Sequence, residues 1–255
     1  MAAAGRPATP GAIEEGGDPE MGLEMESRRS GSPYVERVWR SRSSGVSQML
    51  SVASARLELV FWEQQGRMNV AVQGPETRAG RAPVPEEATF VGISFALGVS
   101  MPHLPLAELV DGNLVLPGAT RRSFHLKGSW WQVPGYDDAE PFVERLVREE
   151  VLVRDPLVAS GGGPASFVSE RTVQRRFLAA TGLTRNAVRQ IDRARTAAVL
   201  IREGVPAVEV VHRLGYFDQP HLARSLTRFI GRTATRLAAP DTTEPLSLLY
   251  RGDGS

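Results

Sequence analysis

The chain contains no cysteine, and its only lysine, Lys127, stands against 29 arginines. The lack of cysteine excludes disulfides, thiolate metal sites and cysteine nucleophiles. No run of about 18 apolar residues occurs, so no membrane-spanning helix is expected. The N-terminus has neither the basic start nor the apolar core of a secretory signal. These absences fit a cytoplasmic protein with no membrane partner. The four histidines, His103, His125, His212 and His221, show no paired ligand spacing, so no metal is expected. No P-loop, dinucleotide fingerprint or Ser-His-Asp arrangement is present, and no G-K-[ST] follows Gly161–Gly163. The chain therefore reads as a non-enzyme without a cofactor.

The formal net charge is only +1, but it is unevenly spread. Residues 160–255 carry 14 arginines and 8 acids, and the segment 165–237 carries 13 arginines against 5 acids. Local clustering, not the chain total, sets the field that a polyanion meets.

That basic segment contains one pattern written twice. Residues 169–182 read SERTVQRRFLAATG and residues 218–231 read DQPHLARSLTRFIG, an offset of 49. Each copy opens on a helix-capping residue, Ser169 or Asp218. Each places core residues at its fifth and ninth positions, Val173 and Phe177 or Leu222 and Leu226. Each carries an arginine between them on the opposite face, Arg175 or Arg224, and ends on glycine, Gly182 or Gly231. Ala180, Phe229 and Ile230 complete the apolar faces. Arginine pairs bidentately with guanine and glutamine with adenine in the major groove. The first turn of such a helix reaches deepest, which makes Arg171, Thr172, Gln174, Arg175, Gln219, His221 and Arg224 the candidate base contacts. Between the copies a helix is predicted over 186–203, about 27 Å long at about 1.5 Å per residue. That is close to one turn of B-DNA, about 34 Å, so a rigid spacer of this length suits two reading helices in successive major grooves. Arg189, Arg193 and Arg195 on the spacer are candidate phosphate contacts. A short helix over 207–214 precedes the second copy, with Gly215 at the turn.

Upstream, residues 1–32 show no periodicity and read as a disordered tail or a start placed too far upstream. Residues 33–137 read as a small β-rich domain, a sheet or barrel. Strands are expected over 34–40, 56–63 and 89–98, with shorter ones at 113–116 and 123–126. In the third, Val91, Ile93, Phe95 and Leu97 alternate with Phe90, Gly92, Ser94 and Ala96, which predicts one strongly apolar face. A short helix is expected after Pro105. Residues 138–154 form a connecting helix with Phe142, Val143, Leu146 and Val147 inward. Another short helix starts at Asp155-Pro156 and ends at Gly161-Gly162-Gly163-Pro164. Residues 238–255 form a C-terminal tail. Trp62, His103, Trp130, Trp131 and Tyr136 are the candidates for an effector pocket.

The segments SERTVQRRFLAATGLT, RARTAAVLI and VVHRLGYFDQPHLARSLTRFIGRT resemble the DNA-binding domain of the AraC/XylS family of bacterial transcription regulators. GYFDQPHL and the R-x-x-x-F/I-x-G ending carry the likeness most specifically, and it covers about residues 155–237. The resemblance implies two helix-turn-helix units joined by one linker helix. It places Arg171, Thr172, Gln174 and Arg175 on the first reading helix and Gln219, Pro220, His221 and Arg224 on the second. Ser169, Arg176 and Arg193 become structural residues or phosphate contacts, and Arg228 joins the phosphate set. The chain departs from the family pattern in the glycine run at 161–163, in Pro206-Ala207, in Arg185 and in Ala234. The glycines and Pro164 shorten or displace the supporting helix of the first unit, since glycine costs about 1 and proline about 3 kcal/mol inside a helix.

The expected architecture is α+β: a β-rich sensory or dimerisation domain followed by an all-α double helix-turn-helix domain. The expected function is sequence-specific regulation of transcription through double-stranded DNA. A small-molecule effector, RNA polymerase and a second copy of the chain are further candidate partners. The alternative is a protein-interaction scaffold with a degenerate DNA-binding module. A fused alkyl-transfer enzyme is set aside, because that chemistry needs the missing cysteine.

Overall fold

The computed structural model describes residues 22–161, 168–239 and 246–247. A sheet-rich region over residues 23–154 precedes an all-helical region, the α+β order expected from the sequence. Its main sheet has six strands, all antiparallel. Strands β1 (Gly22–Arg29) and β2 (Val35–Ser44) form one side. A short strand β3 (Gln48–Ser51) leads to the hairpin of β4 (Glu58–Gln64) and β5 (Arg67–Gln73). β6 (Gly80–Pro83) pairs with β3 outside the main sheet, and β7 (Ala88–Phe95) returns to its centre between β2 and β4. β8 (Val99–Ser100) and β9 (Asn113–Val115) follow, β9 on the far edge beside β5. A hairpin of β10 (Ser123–Leu126) and β11 (Ser129–Gln132) then precedes helix α1 (Ala139–Arg148), and β12 (Val153–Arg154) pairs with β8.

Several elements differ from expectation, each for a physical reason. β1 occupies part of the stretch read as tail, because Gly22–Arg29 pairs along its full length with β2. Residues 1–21 lie outside the described residues. The central position of β7 buries Gly92, Ile93, Ser94 and Phe95 on both faces, so its predicted one-sided alternation holds only in part. β5 and β11 both follow two-residue turns, Gln65-Gly66 and Lys127-Gly128. All four of those residues have positive φ, the conformation of a type I′ hairpin turn that is usually signalled by Asn-Gly. After Pro105 the chain makes only a 3₁₀ turn over Leu106–Glu108, with no side-chain cap to start a longer helix.

The first core lies under the sheet. Phe61, Phe124 and Phe142 meet with ring centroids 5.4–6.2 Å apart, and α1 contributes Phe142, Val143 and Leu146 to it. The Arg28 guanidinium grips both oxygens of Glu140, at 2.5 and 2.7 Å, tying β1 to α1. That partner holds the Glu140 carboxyl down at about 2.

The second core belongs to the helices: α2 (Pro156–Ala159), α3 (Glu170–Thr181), α4 (Arg185–Arg202), α5 (Ala207–Leu214), α6 (Gln219–Phe229) and α7 (Ala234–Ala238). Val52, Ala53 and Ala55, from the connection between β3 and β4, are buried within this helical core. The Ala53 amide donates to the Phe229 carbonyl (2.7 Å), and the Ala79 amide to that of Arg228 (2.9 Å). Leu246 bridges to Leu50, so part of the stretch read as C-terminal tail returns to β3. Among the described residues no helix is long and apolar enough to cross a membrane.

Two stability predictions follow from the sheet region. The Trp39 indole lies over Gly92, where an added Cβ would come within 2.0 Å of the ring. Gly92→Ala should push the indole off this strand, beside the Glu58 carboxyl that accepts the Ser94 hydroxyl at 2.7 Å. A loss of about 1–3 kcal/mol in urea unfolding is expected. Glu76 bridges to Ser54 through its backbone and accepts the Ser51 hydroxyl on both carboxylate oxygens, at 2.9 and 2.8 Å. Burial nevertheless raises its carboxyl from 4.5 to about 7. A raised acid favours the folded state fully below its unfolded pKa, and that contribution is lost as pH rises toward the folded value. Glu76→Gln should therefore stabilise the protein at pH 8, by up to about 3 kcal/mol. The gain should shrink toward zero near pH 4.5, as pH-resolved thermal unfolding can establish.

Candidate nucleic-acid interface

The two copies of the repeat form two capped helices. The Ser169 hydroxyl accepts from the Thr172 amide at the start of α3, and the Asp218 carboxylate accepts from the His221 amide at the start of α6. Val173, Phe177 and Ala180 are buried on α3; Leu222, Leu226, Phe229 and Ile230 are buried at α6. Gly182 and Gly231 end the copies in the left-handed conformation, at φ 70° and 75°.

The outward faces carry the candidate readers. Arg171, Gln174 and Arg175 are exposed on α3, and Gln219, Pro220, Arg224 and Arg228 on α6. The equivalent arginines, Arg175 and Arg224, have no hydrogen bond or ion pair to any described residue. Their guanidinium groups thus stay free to meet a ligand. Thr172 is half-buried, its hydroxyl 3.1 Å from that of Ser169, so it serves the cap. His221 is held inside the second turn. Its Nδ1 accepts from the Phe217 amide at 3.4 Å, and its ring meets Tyr216 edge-on at 5.2 Å.

The candidate phosphate contacts divide. Arg189 and Arg228 are exposed. Arg176 instead pairs with Asp155 at 2.6 Å, the carboxylate that also caps α2. The Arg193 guanidinium lies 4.3 Å over the Tyr216 ring and fastens α4 to the second unit. Arg195 is 5 % exposed and donates to the Ala53 carbonyl at 2.9 Å. It is too deep to reach a phosphate, which corrects the expectation for it.

One exposed residue escaped the sequence reading. Phe217, between the buried Tyr216 and the cap Asp218, is 90 % exposed. A phenylalanine reads as core, and only its place between a buried tyrosine and a capping aspartate hints otherwise.

α4 joins the units as expected, with 18 residues, a Thr184 cap and Ala194, Ala197 and Ala198 packed inward. The two supporting helices are unequal. α5 has eight residues and turns into the second unit at Gly215 with φ 65°; α2 has four. Gly162, Gly163 and Pro164 lie outside the described residues.

The effector-pocket candidates are dispersed. Trp131 is core, its Nε1 donating to the Leu126 carbonyl at 3.1 Å. Its strand neighbour Trp130 points the other way, 63 % exposed and edge-on to His125. Tyr136 lies beneath the guanidinium groups of Arg28 and Arg40, at 5.1 and 4.8 Å. Trp62 is half-buried on β4, opposite Asn69 and Phe90. Both His103 ring nitrogens are shielded without a hydrogen-bond partner among the described residues, and burial lowers the pKa of the ring. None of the five lines the large cleft described below.

Arg195→Leu should cost about 1–3 kcal/mol, because it leaves a buried carbonyl unsatisfied. It should also speed hydrogen exchange at the amide of Ala53, on the same strap. Unchanged exchange there would mean that the Arg195 bond contributes little to the contact.

The sequence comparisons add one match. Residues 165–239 match a family described as "Helix-turn-helix domain". No curated protein and no solved structure matches the chain.

Proposed function

We propose that this chain, whose residues 165–239 form an AraC-type helix-turn-helix domain, is a non-enzymatic, sequence-specific regulator of transcription. α3 and α6 enter successive major grooves on one face of a duplex. The observation that carries this reading is the equivalence of Arg175 and Arg224. Both are exposed and free of partners among the described residues, on capped helices of the same pattern joined by one 18-residue helix. Arg171, Gln174 and Gln219 complete the base-facing set, and Arg189 and Arg228 contact phosphates. Phe217 adds an apolar contact to a thymine methyl or a sugar at the mouth of α6. The β-rich region modulates how the pair of helices is presented, through an effector or a second subunit. The contact of Ala53 and Ala79 with the end of α6 supports that role.

The four-residue α2 favours a second reading, in which the first unit has lost base recognition and only α6 reads.

Selection of bound sequences from a random duplex pool separates the two readings. The full chain should enrich two blocks about one helical turn apart. Arg175→Ala and Arg224→Ala should each erase one block and cost about 1–3 kcal/mol of affinity. Phe217→Ala should weaken the block read by α6 and leave the other intact. A single block sensitive to Arg224 alone would support the second reading, and no enrichment at moderate salt would refute both.

A further inference from the structure

One large cavity has none of the candidate base contacts in its lining. It is a cleft of about 860 Å³ between the sheet region and α4. One wall is a single face of α4, with Arg185, Val188, Arg189, Asp192, Arg193 and Thr196 at helical spacing. The opposite wall comes from the β1–β2 connection, the end of β7 and Arg154 on β12. A cleft of this volume takes a small molecule and is far too small for a duplex.

Its charge is one-sided. The two carboxylates on the walls, Glu36 and Asp192, both face Arg56, at 2.5 and 3.4 Å. Arg154, Arg185, Arg189 and Arg193 also line the cleft, and none pairs with a carboxylate among the described residues. The Nε atoms of Arg185 and Arg193 are shielded from solvent and have no hydrogen-bond acceptor among the described residues. A buried donor without an acceptor is costly and rare, and it marks a place where an acceptor belongs. Arginine forks match carboxylate and phosphate oxygens. Leu97, Val188 and Leu214 supply an apolar part of the lining.

We infer that this cleft is a binding site for a multiply charged organic anion, a phosphate ester or a polycarboxylate. Such a ligand would join Arg154 on the sheet side to Arg185 and Arg189 on the linker helix. The helix that spaces the two reading units would then gain a further tie to the sheet region, beside the Arg56–Asp192 pair. The regulatory consequence rests on the proposed DNA-binding function, whereas the site itself does not. By linkage, an anion that changes DNA affinity has its own affinity changed by DNA in equal measure.

The test is calorimetric titration of the full chain, without DNA, using pyrophosphate and citrate as probes. Saturable binding of one anion per chain is expected, and the preferred probe identifies the ligand class. Arg185→Gln/Arg189→Gln should weaken it about tenfold or more. Arg154→Gln, across the cleft and off α4, should weaken it too, which guards against a folding defect in the double variant. Arg171→Gln/Arg175→Gln, on the outward face of α3, should leave it unchanged. Absence of saturable binding by either probe at millimolar concentration would overturn the inference. So would binding lost from the α3 variant and kept in the cleft variants. Failure of the anion titration leaves DNA reading untouched, and failure of DNA selection leaves the titration interpretable.

Discussion

Both backbone groups of one residue, Ala53, tie the sheet region of this protein to its helices. Ala53 donates its amide to the carbonyl of Phe229 at the end of α6 and accepts a hydrogen bond from Arg195 on α4. It sits in a strap, Val52 to Ala55, whose Val52, Ala53 and Ala55 are buried in the core of the helices. Backbone groups buried away from water must find partners, so the strap and the two helices hold one another in register. Arg56, the residue directly after the strap, extends the same connection with its ion pairs to Glu36 and Asp192. Breaking such a buried pair on one side leaves an uncompensated charge, so the joint resists partial opening.

The helical region divides its arginines by depth. Those on the outward faces of α3 and α6 have no ion pair among the described residues. Those turned inward are absorbed into structure: Arg176 onto the α2 cap, Arg193 onto Tyr216, Arg195 onto the strap. α4 is placed between two demands. One face is packed with alanine and aliphatic side chains against the helical core, and another lines the basic cleft. Any force on the cleft face therefore acts on the element that sets the spacing of α3 and α6.

The repeat made the helical region legible. Caps, core positions and terminal glycines recur in both copies, so local sequence and packing agree there. The family match over residues 165–239 accords with that reading. The sheet region was only partly legible. The hairpins of β4–β5 and β10–β11 turn on Gln-Gly and Lys-Gly, which lack the usual hairpin signature, so β5 and β11 went unseen. β1 does alternate, with Leu23 and Met25 half-buried against exposed Glu24 and Glu26, but it lies in a glycine- and glutamate-rich stretch that reads as tail. The burial of Arg195 was not legible at all. On a helical wheel it is one more surface arginine, and its acceptor lies 142 residues away. Trp130 and Trp131 looked like one site because they are adjacent, yet strand geometry turns them to opposite faces.

Because α4 is packed along its length and the strap fixes α6 against the sheet region, the distance between α3 and α6 should be rigid. The most direct test uses the selected duplex with about five base pairs inserted between its two blocks, which turns the second block to the opposite face of the helix. If both helices read at a fixed spacing, affinity should fall to that of a single block. Inserting a full turn, about ten base pairs, should not restore it, because a spacer fixed near one turn cannot reach two. Affinity unchanged by the half-turn insertion would contradict a rigid two-groove reader.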